Sequence, residues 1–88
     1  MVNKFRFTNH AEQELRRRDI PKAVVEDVLA NPQQVVPMLL GQSVYQSRVD
    51  FPDGRTYLVR AIVDNRQRPP AVVTVYRTSK IAKYWRAP

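Results

Sequence analysis

Residues 72–85 read VVTVYRTSKIAKYW. The run Val72-Val73-Thr74-Val75 is dense in β-branched residues, which suit a pleated, half-buried surface, so the stretch predicts a core strand. Alternation puts Tyr76 and Thr78 on one face of that strand and Arg77 on the other. The strand then runs into hydroxyls, cations and two aromatics. Two readings follow: a core strand with a solvated basic tail, or a strand that delivers phosphate-binding side chains. If a helix starts near Thr78 or Ser79, Lys80, Lys83 and Tyr84 share one helical side. Its first N–H groups, a hydroxyl and the cations would then form an anion cradle.

The neighbouring segments extend the sheet. TYLVRAIV (56–63) puts Tyr57, Val59, Ala61 and Val63 on one face and Thr56, Leu58, Arg60 and Ile62 on the other. Both faces are mostly apolar, as in a central strand. VYQSRVDF (44–51) precedes it across Pro52-Asp53-Gly54, a hairpin signal. DNRQRPP (64–70) is a polar turn. QVVPMLL (34–40) contains Pro37, so it is an edge strand or an irregular extended piece. NKFRF (3–7) alternates Phe5 and Phe7 and suits a short lead-in strand.

Between the lead-in and the edge strand the period is helical. Thr8 is a candidate N-cap for NHAEQELRRR, whose apolar face holds Ala11 and Leu15. Pro21 suits the start of a second helix and Asn31-Pro32 its end. Val24, Val25, Val28 and Leu29 form its packing stripe. The expected architecture is one α+β domain over residues 1–88. Two N-terminal helices pack on a small twisted antiparallel sheet of three to four strands, and a short C-terminal helix closes it.

A chain of 88 residues buries only about 60–65% of its unfolded surface. It has no cysteine and one histidine, His10, so thiolate chemistry and a two-histidine metal site within one chain are excluded. No metal and no cofactor are expected. No apolar run approaches the roughly 20 residues of a membrane span, and the reading is a cytoplasmic protein without a membrane partner. The net charge of +7 is concentrated. Residues 55–88 carry eight of the fifteen basic residues and, among the acidic ones, Asp64 alone. That asymmetry points to a polyanion partner, nucleic acid or an acidic protein, whereas a solvated basic surface is the plainer explanation.

Arg60 interrupts an apolar face of the central strand, where an unpaired charge is costly. It needs an ion pair, with Glu26, Asp27 or Asp50, or an anionic ligand. His10 is the one side chain suited by type to proton transfer near neutrality, although a lone histidine is commonly an ordinary surface residue. Tyr76, Tyr84 and Trp85 are either core or base-stacking platforms. Arg17, Arg66, Arg68, Lys83 and Arg86 complete the candidate nucleic-acid contacts.

Three stretches together, FTNHAEQELRRRDIPKAVVEDVLANPQQV, DGRTYLVRAIV and VVTVYRTSKIAKYW, resemble the bacterial domain-of-unknown-function family 4258 over nearly the whole chain. That family is similar to the RelE-like toxin and nuclease superfold. The resemblance implies helices on a twisted antiparallel sheet and a metal-independent endoribonuclease paired with a protein antitoxin. It maps the family's histidine onto His10 and its strand arginine onto Arg60. Its terminal motif falls on Tyr76, Arg77, Thr78, Lys80, Lys83 and Tyr84. Glu14 and Asp19 stand where the family pattern has a basic residue and a glycine. The implied chemistry is attack of an RNA 2′-OH on phosphorus. His10 acts as base or acid, Arg60, Arg77 and Lys80 stabilise the phosphorane, Thr78 faces the phosphate, and Tyr76 or Tyr84 is the second proton-transfer group or a stacker. Two further readings remain: a non-catalytic nucleic-acid-binding module, and a toxin that inhibits a protein such as gyrase. Either a monomer or a homodimer fits.

Overall fold

The computed structural model describes residues 4–87, so Asn3 of the expected lead-in strand lies outside the described residues. Chain order is β1 (Arg6–Phe7), α1 (Asn9–Arg17), α2 (Lys22–Ala30), β2 (Gln34–Pro37), β3 (Gln42–Asp50), β4 (Thr56–Asp64), β5 (Ala71–Thr78) and α3 (Ile81–Tyr84). Thr8 caps α1, its hydroxyl accepting from the Ala11 N–H at 3.1 Å. Pro21 caps α2 without a side-chain bond, and Asn31 ends that helix.

The α+β class is as expected, but the sheet is larger and mixed. It has five strands in the order β1-β5-β4-β3-β2, and β1 runs parallel to β5. Two short segments account for the difference. Arg6 and Phe7 pair with Ala71 and Val72, and the flanking bonds Arg6 N to Pro70 O (2.9 Å) and Thr8 N to Val72 O (3.1 Å) fix them there. Two residues are too few for alternation to announce a ladder. At the other edge, β2 keeps Pro37 as its last residue, opposite Ser43, where its missing N–H is tolerated.

The β3–β4 hairpin is the longest ladder, from Gln42↔Asp64 to Asp50↔Thr56. Gly54, at φ 82°, supplies the left-handed step in its turn. Asp53 closes that turn by accepting from the Arg55 N–H at 2.9 Å and the Tyr57 hydroxyl at 2.6 Å. Between β4 and β5 the register shifts at Ile62/Val63, so Ile62 faces Thr74 and Val63 faces Val72. Val73 is the extra residue of this bulge, and its carbonyl accepts from the Thr8 hydroxyl at 3.3 Å. The bulge is why Val72 and Val75, three apart, both enter one core.

Helices α1 and α2 bury Ala11, Leu15, Val25, Val28 and Leu29 against Val59, Ala61, Val63, Val72 and Val75. The other face of the sheet carries Leu58, Arg60 and Ile62, and Leu58 is fully buried. Leu39 and Leu40, at the β2–β3 turn, remain 85% and 79% exposed. Among the described residues, no helix is long and apolar enough to cross a membrane.

Asp64 organises the β4–β5 turn. Its Oδ1 accepts from Arg66 N and Nε at 3.0 Å, and its Oδ2 from Arg66 Nη2 at 3.2 Å and Gln67 Nε2 at 3.3 Å. Those Arg66 bonds hold the carboxyl at a pKa of about 2, below its ordinary 3.8. A depressed pKa contributes stability that is complete above the unfolded value and lost as pH falls through the folded one. Stability therefore declines between pH 3.8 and about 2. Asp64→Asn flattens this limb without abolishing it, because Glu14 and Asp53 are lowered as well. Thermal unfolding of both proteins across that range checks the prediction.

Candidate functional site

Arg60 sits midway along β4, the central strand, on the face opposite α1 and α2. Its cross-strand neighbours are Gln46 of β3 and Tyr76 of β5. Gln46 Oε1 accepts from Arg60 Nε at 2.8 Å, and the Tyr76 hydroxyl accepts from Nη1. The guanidinium carbon lies 4.2 Å from the Tyr84 ring centre and 5.6 Å from that of Tyr76, within cation–π range. Of the two alternatives for Arg60, an ion pair or an anionic ligand, the ion pair is not formed: among the described residues, Arg60 pairs with no carboxylate. Glu26 and Asp27 lie on α2, against the opposite sheet face. Asp50 is at the far end of the hairpin, where it accepts from the Thr56 hydroxyl at 2.5 Å.

The C-terminal segment lies across this face. Gln46, fully buried, donates through Nε2 to Gln34 Oε1 at 2.8 Å and to the Tyr84 carbonyl at 3.3 Å. The Gln34 amide in turn donates to the Arg86 carbonyl at 2.6 Å and accepts from the Arg86 N–H at 3.1 Å. Trp85 stacks on Arg48, 4.4 Å from its guanidinium carbon. These contacts leave a cleft of about 500 Å³ beside Arg60, lined also by Tyr76, Lys83, Tyr84, Arg86 and the apolar Met38. Among the described residues, no acidic side chain lines it.

The structure thus brings Arg60, Tyr76, Lys83, Tyr84, Trp85 and Arg86 together. It does not bring all the expected residues there. Arg77 faces the helix side of the sheet, between the rings of Phe51 (4.4 Å) and Tyr57 (4.7 Å). Strand alternation separates it from Arg60, because Val59 is its partner. Thr78 shares the Arg60 face, but its hydroxyl accepts from the Lys80 N–H at 3.1 Å and closes the local turn. The expected helical cradle is corrected too. The helix begins only at Ile81, has four residues, and has Lys80 as its N-cap. Arg66 is engaged by Asp64, and Arg68 lies in the same turn, at the other end of β5 from Tyr76.

His10 is exposed in the first turn of α1. Among the described residues, no hydrogen bond links it to Arg60, Tyr76, Thr78 or Lys80. Glu14, one helical turn on, binds Arg18 at 2.8 Å and Arg17 at 3.3 Å rather than His10. The Arg18 bond holds the Glu14 carboxyl below its usual range, and the charges of Arg17, Arg18 and His10 add to the effect. Arg18 stands 6.0 Å from the Tyr76 ring centre, so α1 borders the β5 edge of the site.

Sequence reasoning missed Gln34, Gln46, Arg48 and Arg18. Gln46 was within reach, because the hairpin register through Pro52-Asp53-Gly54 places it opposite Arg60. Its neutrality hid it. Tyr76→Phe removes one of the two hydrogen-bond acceptors of a partly buried guanidinium. The expected loss is about 1.5 kcal/mol of stability, read as a lower urea midpoint at unchanged m.

No curated protein and no solved structure matches this chain. The model of one family, described as a domain of unknown function (DUF4258), matches residues 7–77, from Phe7 in β1 to Arg77 in β5. That span includes the three strands that carry Gln46, Arg60 and Tyr76, and the chain belongs to the DUF4258 family.

Proposed function

We propose that the protein binds single-stranded RNA at the Arg60 cleft and cleaves it without a metal, by 2′-OH transesterification. One observation carries this reading: a guanidinium at the centre of the sheet is held by a neutral amide and a phenol, with no carboxylate, beside an opening bordered by Lys83 and Arg86. Neutral partners orient the cation and leave its charge for an anion. A phosphodiester gains negative charge as it becomes a phosphorane, and fixed cations in a partly enclosed site favour that state.

The 2′-oxygen attacks the adjacent phosphorus while the bond to the 5′-oxygen breaks. The products are a 2′,3′-cyclic phosphate and a free 5′-hydroxyl. The Tyr76 oxygen accepts from Arg60, so its own proton is free for the departing 5′-oxygen. His10, on α1 at the helix side of the sheet, is the remaining candidate to take the 2′-OH proton. If the family's implied resemblance to RelE-like toxins extends to partners, a protein antitoxin would mask the cleft. The separation of His10 from Arg60 favours a second reading, in which the cleft binds RNA and performs no chemistry.

Labelled single-stranded RNA in EDTA distinguishes the readings. The wild type is expected to yield cyclic-phosphate ends. Arg60→Gln slows cleavage by about 100-fold or more, and Tyr76→Phe by at least about 100-fold. His10→Ala is expected to cost less than Tyr76→Phe. Salt-dependent binding without cleavage selects the non-catalytic module. Absence of binding by the wild type rejects both.

A further inference from the structure

Gln46 is the most enclosed polar side chain among the described residues, at 0% exposure, and every polar atom of its amide is used. Its Oε1 accepts from Arg60 Nε, and its Nε2 donates both to Gln34 and to the Tyr84 carbonyl. Gln34 passes the pattern on to the Arg86 backbone. A directional relay therefore runs from the guanidinium to the backbone of the segment that bears Tyr84 and Trp85. An amide is the side chain that fits position 46, because it must accept on one side and donate on the other. A carboxylate there could accept from Arg60 but could not donate to Gln34 or Tyr84, and it would neutralise the cation.

We propose that Gln46 is the positioning residue of the Arg60 site. It fixes the guanidinium plane under Tyr84 and docks the C-terminal segment over it, while keeping the cation unpaired for a phosphate. This inference rests on the reading of Arg60 as an RNA phosphate site. A purely structural glutamine would contribute to stability and leave the charge dependence of binding untouched.

The test measures fluorescence anisotropy of a short labelled single-stranded RNA over a salt series, with unfolding midpoints alongside. Gln46→Glu is expected to weaken binding at least tenfold and to flatten the dependence of log K on log salt by about 0.7, the slope for one phosphate contact on a single strand. Arg60→Gln alone should flatten the salt dependence by the same amount, because each variant removes one free positive charge from the site. Gln46→Met keeps the volume and leaves Arg60 charged, so it should lower affinity a few-fold with the salt slope unchanged. A folded Gln46→Glu protein with wild-type affinity and slope overturns the proposal.

Two outcomes separate its failure from that of the underlying reading. If Arg60→Gln alone binds RNA like the wild type, the cleft is not the phosphate site and the proposal falls with it. If Arg60→Gln loses binding, the decision rests on Gln46, and proton exchange at Arg60 Nε, followed by NMR, gives a readout that needs no RNA. Slow exchange in the wild type and fast exchange in Gln46→Met support positioning. Equal exchange in the two overturns it, including when Gln46→Glu does not fold.

Discussion

A guanidinium in the middle of a five-stranded sheet has to be solvated by the protein itself. Arg60 projects from the central strand between Leu58 and Ile62 and is half-buried there. The usual remedy, a carboxylate, is absent among the described residues. Its place is taken by an amide oxygen, a phenol oxygen and an aromatic face. Each of these partners is weaker than an ion pair, and together they leave the net charge intact. Much of the second sheet face follows from that need. Gln46 must be buried to reach Nε, Tyr76 must share its face, and the C-terminal segment must fold back to bring Tyr84 over the ring of donors.

The two sides of the sheet do different work. The helix side is an ordinary apolar core, with Val59, Ala61 and Val75 meeting α1 and α2. The opposite side is closed by only a four-residue helix and its tail, too short to bury a large surface. Polar contacts hold that tail: Gln34 treats the Arg86 backbone as a strand would, and Gln46 binds the Tyr84 carbonyl. A cover held by hydrogen bonds and stacked cations leaves a cleft where a packed helix would have left none.

Strands β3, β4 and β5, both longer helices and the main hairpin were legible in the sequence because each rests on local periodicity or turn chemistry. Thr8, Pro52-Asp53-Gly54 and the Val24–Leu29 stripe state their structure within a few residues. The parallel β1–β5 pair was not legible as part of the sheet. Arg6 and Phe7 join it only because Pro70 and Val72, more than sixty residues away, offer free carbonyls. The bulge at Val73 also depends on such a partner, the Thr8 hydroxyl. In the site, Arg60 stood out as a charge on an apolar face, and Tyr76, Lys83, Tyr84 and Trp85 as a basic aromatic cluster. Gln46 did not stand out, since an uncharged residue in a strand carries no sign of its partner.

The concentration of positive charge in residues 55–88 does not translate into one basic patch. Arg66 is matched by Asp64 and lies along Gly41, whose missing side chain makes room for it: a Cβ there would stand 2.7 Å from Arg66 Cγ. Arg77 keeps its charge but holds it against Phe51 and Tyr57 on the helix side of the sheet, away from the Arg60 cleft. Arg55, Arg68 and Lys80 are exposed but spread over the two ends of the sheet, whereas Arg60, Lys83 and Arg86 gather around one cleft. Under the proposed function, a phosphate entering this cleft would meet one oriented guanidinium set beside the Tyr76 phenol. Diffuse charge concentrates a nucleic acid near a surface, whereas an oriented donor pair selects a position along its backbone. The proposed chemistry needs that second property: selection of one position along a backbone by an oriented donor pair.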